Sequence, residues 1–138
     1  MLLAKGKRKL TITPVIANQA MNKWTPATVE AVRDIVERDL LRFDAAQREA
    51  FARYAVAPFA APICRYGTLE SVVVVARRGN EVIYWEDVEE GFNVSPIAPD
   101  SHVLEHWCNQ DELGFALNQW IPGRTAPNKV APANSVNE

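Results

Sequence analysis

The fold is decided by the stretch Ser71-Val72-Val73-Val74-Val75-Ala76-Arg77-Arg78-Gly79-Asn80-Glu81-Val82-Ile83-Tyr84-Trp85. Four consecutive valines are restricted at χ1 in a helix but fit the pleated surface of a strand. Gly79-Asn80 separates two apolar runs, and a pair of this kind is a signal for a two-residue hairpin loop. The stretch therefore predicts a central β-hairpin that spans residues 71–86.

A two-residue loop fixes which residues of the two strands face each other. The expected pairs are Arg78 with Glu81, Ala76 with Ile83, and Val74 with Trp85. The opposite face of the hairpin would then carry Val73, Val75, Val82 and Tyr84. Because both faces are apolar, we expect a cover on each side. The N-terminal helical segment can supply one cover, and the other would come from the C-terminal helix, the N-terminal leader or a second subunit.

Two segments before the hairpin are typical of amphipathic helices. Thr25 followed by Pro26 indicates a helix start, since threonine caps free amides and proline fits the first helical position. Apolar residues then recur at three- and four-residue steps, namely Val29, Val32, Ile35 or Val36, Leu40 and Phe43. Asp44, with Gln47 three positions later, forms a capping-box pattern. The pattern does not decide whether residues 26–56 form one bent helix or two.

The remaining segments complete a predicted α+β domain. Residues 57–67, which contain Pro58 and Pro62, are expected to form a loop. Residues 92–97 and 102–107 are predicted as a third and a fourth strand, and residues 109–120 as a helix capped by Asn109. The buried stripe of this helix is predicted to consist of Leu113, Ala116, Leu117 and Trp120. The predicted fold is an antiparallel sheet of about four strands, a meander with the hairpin at its centre. N-terminal helices and one C-terminal helix pack on it.

Domain organisation and cell compartment follow from composition. The 138 residues, 48% of them hydrophobic, suffice for one globular domain, which we assign to residues 25–122. Residues 1–24 are predicted to be a basic leader, with an edge strand possible at residues 9–16, and residues 123–138 a disordered tail. Cys64 and Cys108 are expected to be free thiols in the cytoplasm.

Charge and motifs exclude several classes of partner. The net charge of −2 recommends neither nucleic acid nor an anionic membrane as a partner. The sequence has no phosphate-binding loop, dinucleotide-binding turn or hydrolase elbow, so we expect no cofactor and assign no catalytic residue. A homodimer or another protein partner is expected, because the second apolar face of the hairpin needs a cover.

An acidic corner follows the hairpin and is the leading candidate for a binding site. Four carboxylates occur within five positions and lie next to aromatic residues, an arrangement that can steer a basic partner. The alternative is a solvated turn at the end of the sheet. The candidate edge for a protein partner or a small ligand consists of Tyr84, Trp85, Glu86, Asp87, Glu89, Glu90 and Phe92.

A second candidate is a pocket or small enzyme site near the last predicted strand. Its residues are Glu105, His106, Trp107 and Cys108. Cys108 and His106 would lie on one side of a strand, and a thiol just before a helix N-terminus would have a lowered pKa. A metal site with His102 is not expected, because residues 102 and 106 would lie about 13 Å apart on a strand.

Overall fold

The structure is a computed structural model that describes residues 26–124 and two short strands at Leu3–Lys5 and Lys7–Arg8. The possible edge strand at residues 9–16 and most of the predicted tail, residues 125–138, lie outside the described residues. The helices are α1 (Val29–Leu40), α2 (Ala45–Tyr54) and α3 (Leu113–Leu117), and a 3₁₀ turn, Asn118–Trp120, follows α3.

The sheet has four antiparallel strands in sequence order: β1 (Ala55–Arg65), β2 (Thr68–Arg78), β3 (Glu81–Glu86) and β4 (Gly91–Pro96). The predicted α+β fold with a meander of about four strands is therefore confirmed. Two of its elements were assigned wrongly. Residues 57–67 are mostly strand β1, not a loop, and residues 102–107 form no strand, because only Val103 makes isolated bridges.

Strand β1 tolerates its prolines because of where it lies in the sheet. It is the outer strand of the meander, and its pairing with β2 is interrupted between Ala55 and Phe59, the interval that holds Pro58. Prolines are accepted at sheet edges and at bulges, where no ladder hydrogen bond needs their missing N–H. Pro58 and Pro62 therefore lie within a strand, although residues 57–67 were expected to form a loop.

The central hairpin has the predicted loop but a different register beyond Ala76. Arg78 pairs with Glu81 and Ala76 with Ile83, as predicted. A bulge at Val75 then shifts the pairs to Val74 with Tyr84 and Val73 with Trp85. One inserted residue moves the following side chains to the other face. The predicted pair of Val74 with Trp85 is therefore wrong, and four successive valines contain no mark that could locate the bulge.

The first face of the sheet is covered by all three helices. Val32 and Val36 of α1 pack there, and so do the apolar residues predicted for the C-terminal helix, namely Leu113, Ala116, Leu117 and Trp120. Sheet residues in the same cluster include Val73, Ile83, Trp85, Phe92 and Val94. The C-terminal helix thus lies on the same side as α1 and cannot supply the second cover.

The helix boundaries depend on local hydrogen bonds. Asp44 and Gln47 form the predicted capping box, which separates α1 from α2 as two helices. Helix α1 begins at Val29, later than expected, because Thr28 accepts the amide of Ala31 at 3.0 Å and caps the helix there. Helix α3 likewise begins after Glu112 rather than Asn109.

The second face is covered by the chain that follows β4. Ile97 and Val103 pack there against Ile63, Val72, Val74, Val82 and Tyr84. Val103 also donates its amide to the carbonyl of Pro62 at 2.8 Å. Within residues 26–124, an irregular segment at residues 97–111 therefore supplies this cover. Neither a helix nor a second subunit is needed for that part of the sheet.

Asp39 is a buried carboxylate that joins two helices. The sequence pattern placed it on the solvent side of α1, but it is 2% exposed. Its Oδ2 accepts the amide of Leu113 at 2.9 Å, and its Oδ1 lies 3.3 Å from the guanidinium of Arg38. A polar side chain of α1 thereby satisfies a free amide at the start of α3.

Replacing Asp39 with alanine should lower the free energy of unfolding by about 1–3 kcal/mol, because the buried Leu113 amide loses its acceptor. Urea denaturation at neutral pH measures this change. Asp34→Ala on the exposed side of the same helix is the matched control and should stay within about 0.5 kcal/mol of the parent. Equal effects of the two substitutions would contradict the role given to Asp39.

Candidate functional site: the acidic turn and the ion cluster beneath it

The irregular segment is fastened to the second face by side chains of the sheet. Ser95 Oγ accepts the amide of Glu105 at 2.9 Å. The side chain of Asn93 accepts the amide of Asn109 at 3.1 Å and donates to the carbonyl of Asn109 at 3.0 Å. A neighbouring strand would make the same two bonds. A segment without a ladder of its own must have its backbone groups paired in this way when it is buried.

Tyr84 provides another attachment. Its hydroxyl accepts the amide of Trp107 at 2.8 Å and lies 3.2 Å from the carbonyl of Glu105, to which it can donate. Burial raises the pKa of Tyr84, so the phenol stays protonated and keeps its donor. This side chain therefore belongs to the interior of the protein and is not part of an exposed edge.

An ion cluster lies at the end of the same face. Glu86, Arg65 and His106 are 0%, 1% and 2% exposed. Glu86 Oε2 lies 2.5 Å from Arg65 Nη1 and 2.7 Å from His106 Nε2. Arg65 also contacts Asp87 at 3.1 Å and, through Nε, Glu70 at 2.6 Å. Three carboxylates therefore surround one guanidinium beneath the surface.

The ionised form of Glu86 is strongly favoured. Burial alone would raise its pKa, but hydrogen bonds from His106, the Glu89 amide and Arg65 outweigh burial and lower the pKa from 4.5 to about 2. The second oxygen, Oε1, accepts the amides of Val88 and Glu89 at 2.7 and 3.0 Å. Both oxygens of Glu86 are thus occupied by hydrogen bonds.

These bonds determine the shape of the turn between β3 and β4, residues 87–90, which we name the acidic turn. Glu90 donates its amide to the Glu86 carbonyl at 2.7 Å and has a φ of 63°. Asp87 points inward, to Arg65 and to the amide of Ala27 at 3.1 Å. Val88, Glu89 and Glu90 are exposed. The turn therefore presents one apolar and two acidic side chains from a backbone fastened at several points.

A cavity of about 480 Å³ adjoins the acidic turn, and we name it the corner cavity. Helix α1 forms one wall with Ile35 and Arg38. The remaining lining residues are Ala27, Trp85 and the turn residues Asp87, Val88 and Glu90. The cavity thus combines an indole, aliphatic side chains, two carboxylates and one guanidinium.

The predicted acidic edge is divided by the structure into buried and exposed residues. Tyr84, Glu86 and Phe92 are buried, and Trp85 is 8% exposed. Asp87 is half-buried, while Glu89 and Glu90 are exposed. Sequence reasoning missed Arg65 because arginine is mostly exposed in proteins. Period-two alternation from Val82 through Tyr84 does place Glu86 on a buried face, and a buried carboxylate requires a cationic partner.

The four residues of the predicted alternative pocket have different surroundings. Trp107 donates its indole N–H to Glu105 at 3.0 Å, and His106 lies in the ion cluster. Cys108 Sγ is 4.0 Å from His106 Nε2, the same nitrogen that contacts Glu86. A relay from carboxylate through imidazole to thiol needs opposite ring nitrogens. This arrangement therefore lacks the geometry of a nucleophile–base–carboxylate triad.

The thiol itself is not activated. Burial raises the pKa of Cys108, as do the negative charges of Glu86 and Glu89, although a hydrogen bond with Tyr66 acts in the opposite direction. The expected helix N-terminus is absent beside it, because α3 begins at Leu113. Within residues 26–124, moreover, no group of three His, Cys, Asp or Glu side chains is arranged to hold a metal ion.

The ionisation of Glu86 predicts a loss of stability in acid. Its pKa is lowered in the folded protein, so its contribution is fully present above pH 4.5 and is lost as the pH falls towards 2. The free energy of unfolding should decrease by roughly 3 kcal/mol through this group, and Glu86→Gln should remove that part of the pH dependence. Urea denaturation across this pH range measures both. A carboxyl ¹³C midpoint of Glu86 at its ordinary value would contradict the prediction.

The two cysteines should differ in reactivity. Cys64 is exposed, whereas Cys108 is partly buried and has a raised pKa. Iodoacetamide at neutral pH should therefore modify Cys64 several-fold faster, because the thiolate is the reacting form. Mass spectrometry of the Cys64→Ser and Cys108→Ser variants separates the two rates. Faster modification of Cys108 would instead favour the alternative site.

Comparison of the chain with protein-family models, curated proteins and solved structures finds no match in any of the three. None of the helices described in residues 26–124 has the length and apolar composition needed to cross a membrane.

Proposed function

We propose that the chain is a non-catalytic binding protein whose acidic turn and corner cavity take a basic segment of a protein partner. One observation carries this proposal. Glu86 is wholly buried and uses both carboxylate oxygens internally, so that the backbone carrying the exposed Glu89 and Glu90 is fastened beside the cavity. A buried ion cluster thus supports an acidic surface.

Preorganisation is the first argument for binding. Ordering a loop on association costs free energy, and a turn that is already fastened avoids part of that cost. The backbone of Glu90 has a positive φ, a conformation that is unfavourable for a residue other than glycine and is frequent in binding and switch regions. The hydrogen bonds of Glu86 compensate for this strain.

Charge and shape are the second argument. Glu90 supplies an exposed carboxylate to the corner cavity, and Trp85 supplies an aromatic surface. Asp87 also lines the cavity, but its carboxylate is bonded to Arg65 and to the Ala27 amide. A lysine or arginine side chain can bury its aliphatic stem against Ile35 and Val88 while its cationic end meets the carboxylates. The one guanidinium in the lining, that of Arg38, is already next to Asp39 at 3.3 Å. A cationic side chain is therefore the occupant that fits best.

The geometry gives less support to the enzyme alternative. A general acid or base needs a pKa near the working pH, and Glu86 has a pKa of about 2. His106 is enclosed by Glu86 and by the ring of Tyr66, which lies edge-on at 5.3 Å. We therefore assign this cluster a supporting role. The free thiols favour a reducing compartment, so the cytoplasm remains part of the proposal.

The proposal is tested with a hexalysine peptide as the basic probe and a hexaglutamate peptide as its opposite. Hexalysine should shift the amide NMR signals of Val88, Glu89 and Glu90 and the indole signal of Trp85, and its affinity should fall as salt is added. Glu89→Lys/Glu90→Lys should weaken binding at least about tenfold without lowering the melting temperature, since both side chains are exposed.

The matched control is Glu30→Lys/Glu37→Lys, which makes the same change of charge on the solvent side of α1. This variant should retain most of the affinity for hexalysine. An equal loss of affinity for hexalysine in both variants would show that binding depends only on net charge, and this would overturn the proposal. Absence of shifts at the acidic turn in the parent protein would do the same.

A further inference from the structure

A second concave surface lies at the other end of the sheet from the acidic turn. Helix α2, the end of β2 and the chain after α3 enclose a groove of about 340 Å³, which we name the arginine groove. Its depth comes from Ala46 and Ala50, two small side chains one helical turn apart. Ile121 and Pro122 form the facing wall.

The floor of the arginine groove is aromatic and fixed. Trp120 is 4% exposed and meets Tyr54 edge-on, with ring centroids 5.4 Å apart. Glu81 accepts the indole N–H of Trp120 at 3.0 Å. The same carboxylate oxygen accepts Arg78 Nη2 at 3.2 Å, which holds that guanidinium 5.4 Å from the Trp120 ring. Glu81 therefore positions both the floor and one cation.

Two guanidiniums stand at this groove. The side chains of Arg53 and Arg78 are 63% and 44% exposed, so solutes can reach both. Arg53 makes an exposed i,i+4 pair with Glu49 at 3.5 Å, a weak interaction that a ligand can displace. Each guanidinium carries five N–H donors in a planar fork that matches carboxylate and phosphate oxygens. The donors thus select an oxyanion, which would take the place of the Glu49 carboxylate that lines the groove beside Arg53.

We infer that the arginine groove binds a small organic oxyanion with a flat apolar body, its charged group between Arg53 and Arg78 and its body against Ala46, Ala50 and Ile121. The two guanidiniums themselves stand over the rings of Tyr54 and Trp120. The volume lies at the lower end of the range for ligand sites and admits about one ring. Carboxylates and phosphates share the chemistry that the two guanidiniums recognise. This site is separate from the acidic turn and does not depend on the function proposed for it.

The test uses phenylacetate and phenyl phosphate as probes, and benzylamine as a probe of similar size and opposite charge. Both anions should shift the Trp120 indole signal in NMR titrations of the full chain, and the tighter of the two identifies the class of oxyanion. Arg53→Gln and Arg78→Gln should each weaken binding at least about fivefold. Arg48→Gln, on the same helix but outside the groove, should have no effect.

A variant that fills the groove distinguishes binding inside the groove from general attraction between opposite charges. Ala46→Leu leaves every charge in place but occupies the space for the ring, so it should weaken both anions at least about tenfold while inorganic phosphate is little affected. Three results would overturn the inference: no shift of Trp120 at millimolar anion, binding of benzylamine as tight as that of the anions, or an undiminished affinity in Ala46→Leu.

Discussion

The central hairpin, formed by β2 and β3, carries apolar side chains on both faces. The arrangement of the rest of the structure follows from the need to shield both faces from water. Helices cover one face in the ordinary way, with an apolar stripe against the sheet. The other face is covered by chain without regular structure, residues 97–111. Such a cover brings its own backbone amides and carbonyls into the interior, where each needs a partner. Sheet side chains supply those partners.

This need explains why polar residues lie among the valines on the second face. Ser95, Asn93 and Tyr84 each bond a backbone group of the covering segment. Gly91 lets the covering segment lie close to the sheet, because a Cβ there would lie 2.3 Å from the carbonyl oxygen of Asn109. The polar side chains of this face therefore determine how the irregular segment, residues 97–111, lies across the sheet. An entirely apolar face would have buried similar area without determining that path.

The ion cluster extends the same principle to the end of the sheet. Paired charges inside a protein often add little net stability compared with apolar groups of similar volume, but removing one partner is costly. Glu86 joins three pieces of chain: β1 through Arg65, the acidic turn through two amides, and the covering segment through His106. Its value lies in fixing their relative positions, which is what a recognition surface requires.

Local rules predicted the elements whose causes are local. The capping box at Asp44, the Gly79-Asn80 loop and the apolar stripe of the C-terminal helix each depend on residues within a few positions. The edge strand containing Pro58, the bulge at Val75 and the burial of Arg65 depend on partners that are distant in sequence or on space at a sheet edge. For the candidate site, the pattern located the acidic corner. It could not show that Glu86 and Asp87 turn towards one cation, because their common partner Arg65 is 21 residues from Glu86.

Changes beneath the acidic turn therefore affect both the stability of the protein and its recognition surface, whereas at the arginine groove the two can be changed separately. Any change to Glu86 or Arg65 alters the acidic turn and loosens the cover of the second face at once, since the same carboxylate serves both. Only the outward residues Glu89 and Glu90 change the surface alone. At the arginine groove the corresponding support is Glu81, which bonds Trp120 and Arg78 but no group of the covering segment. The two ends share strand β3, yet each is held by its own carboxylate, so a ligand at one end is expected to leave the other unchanged.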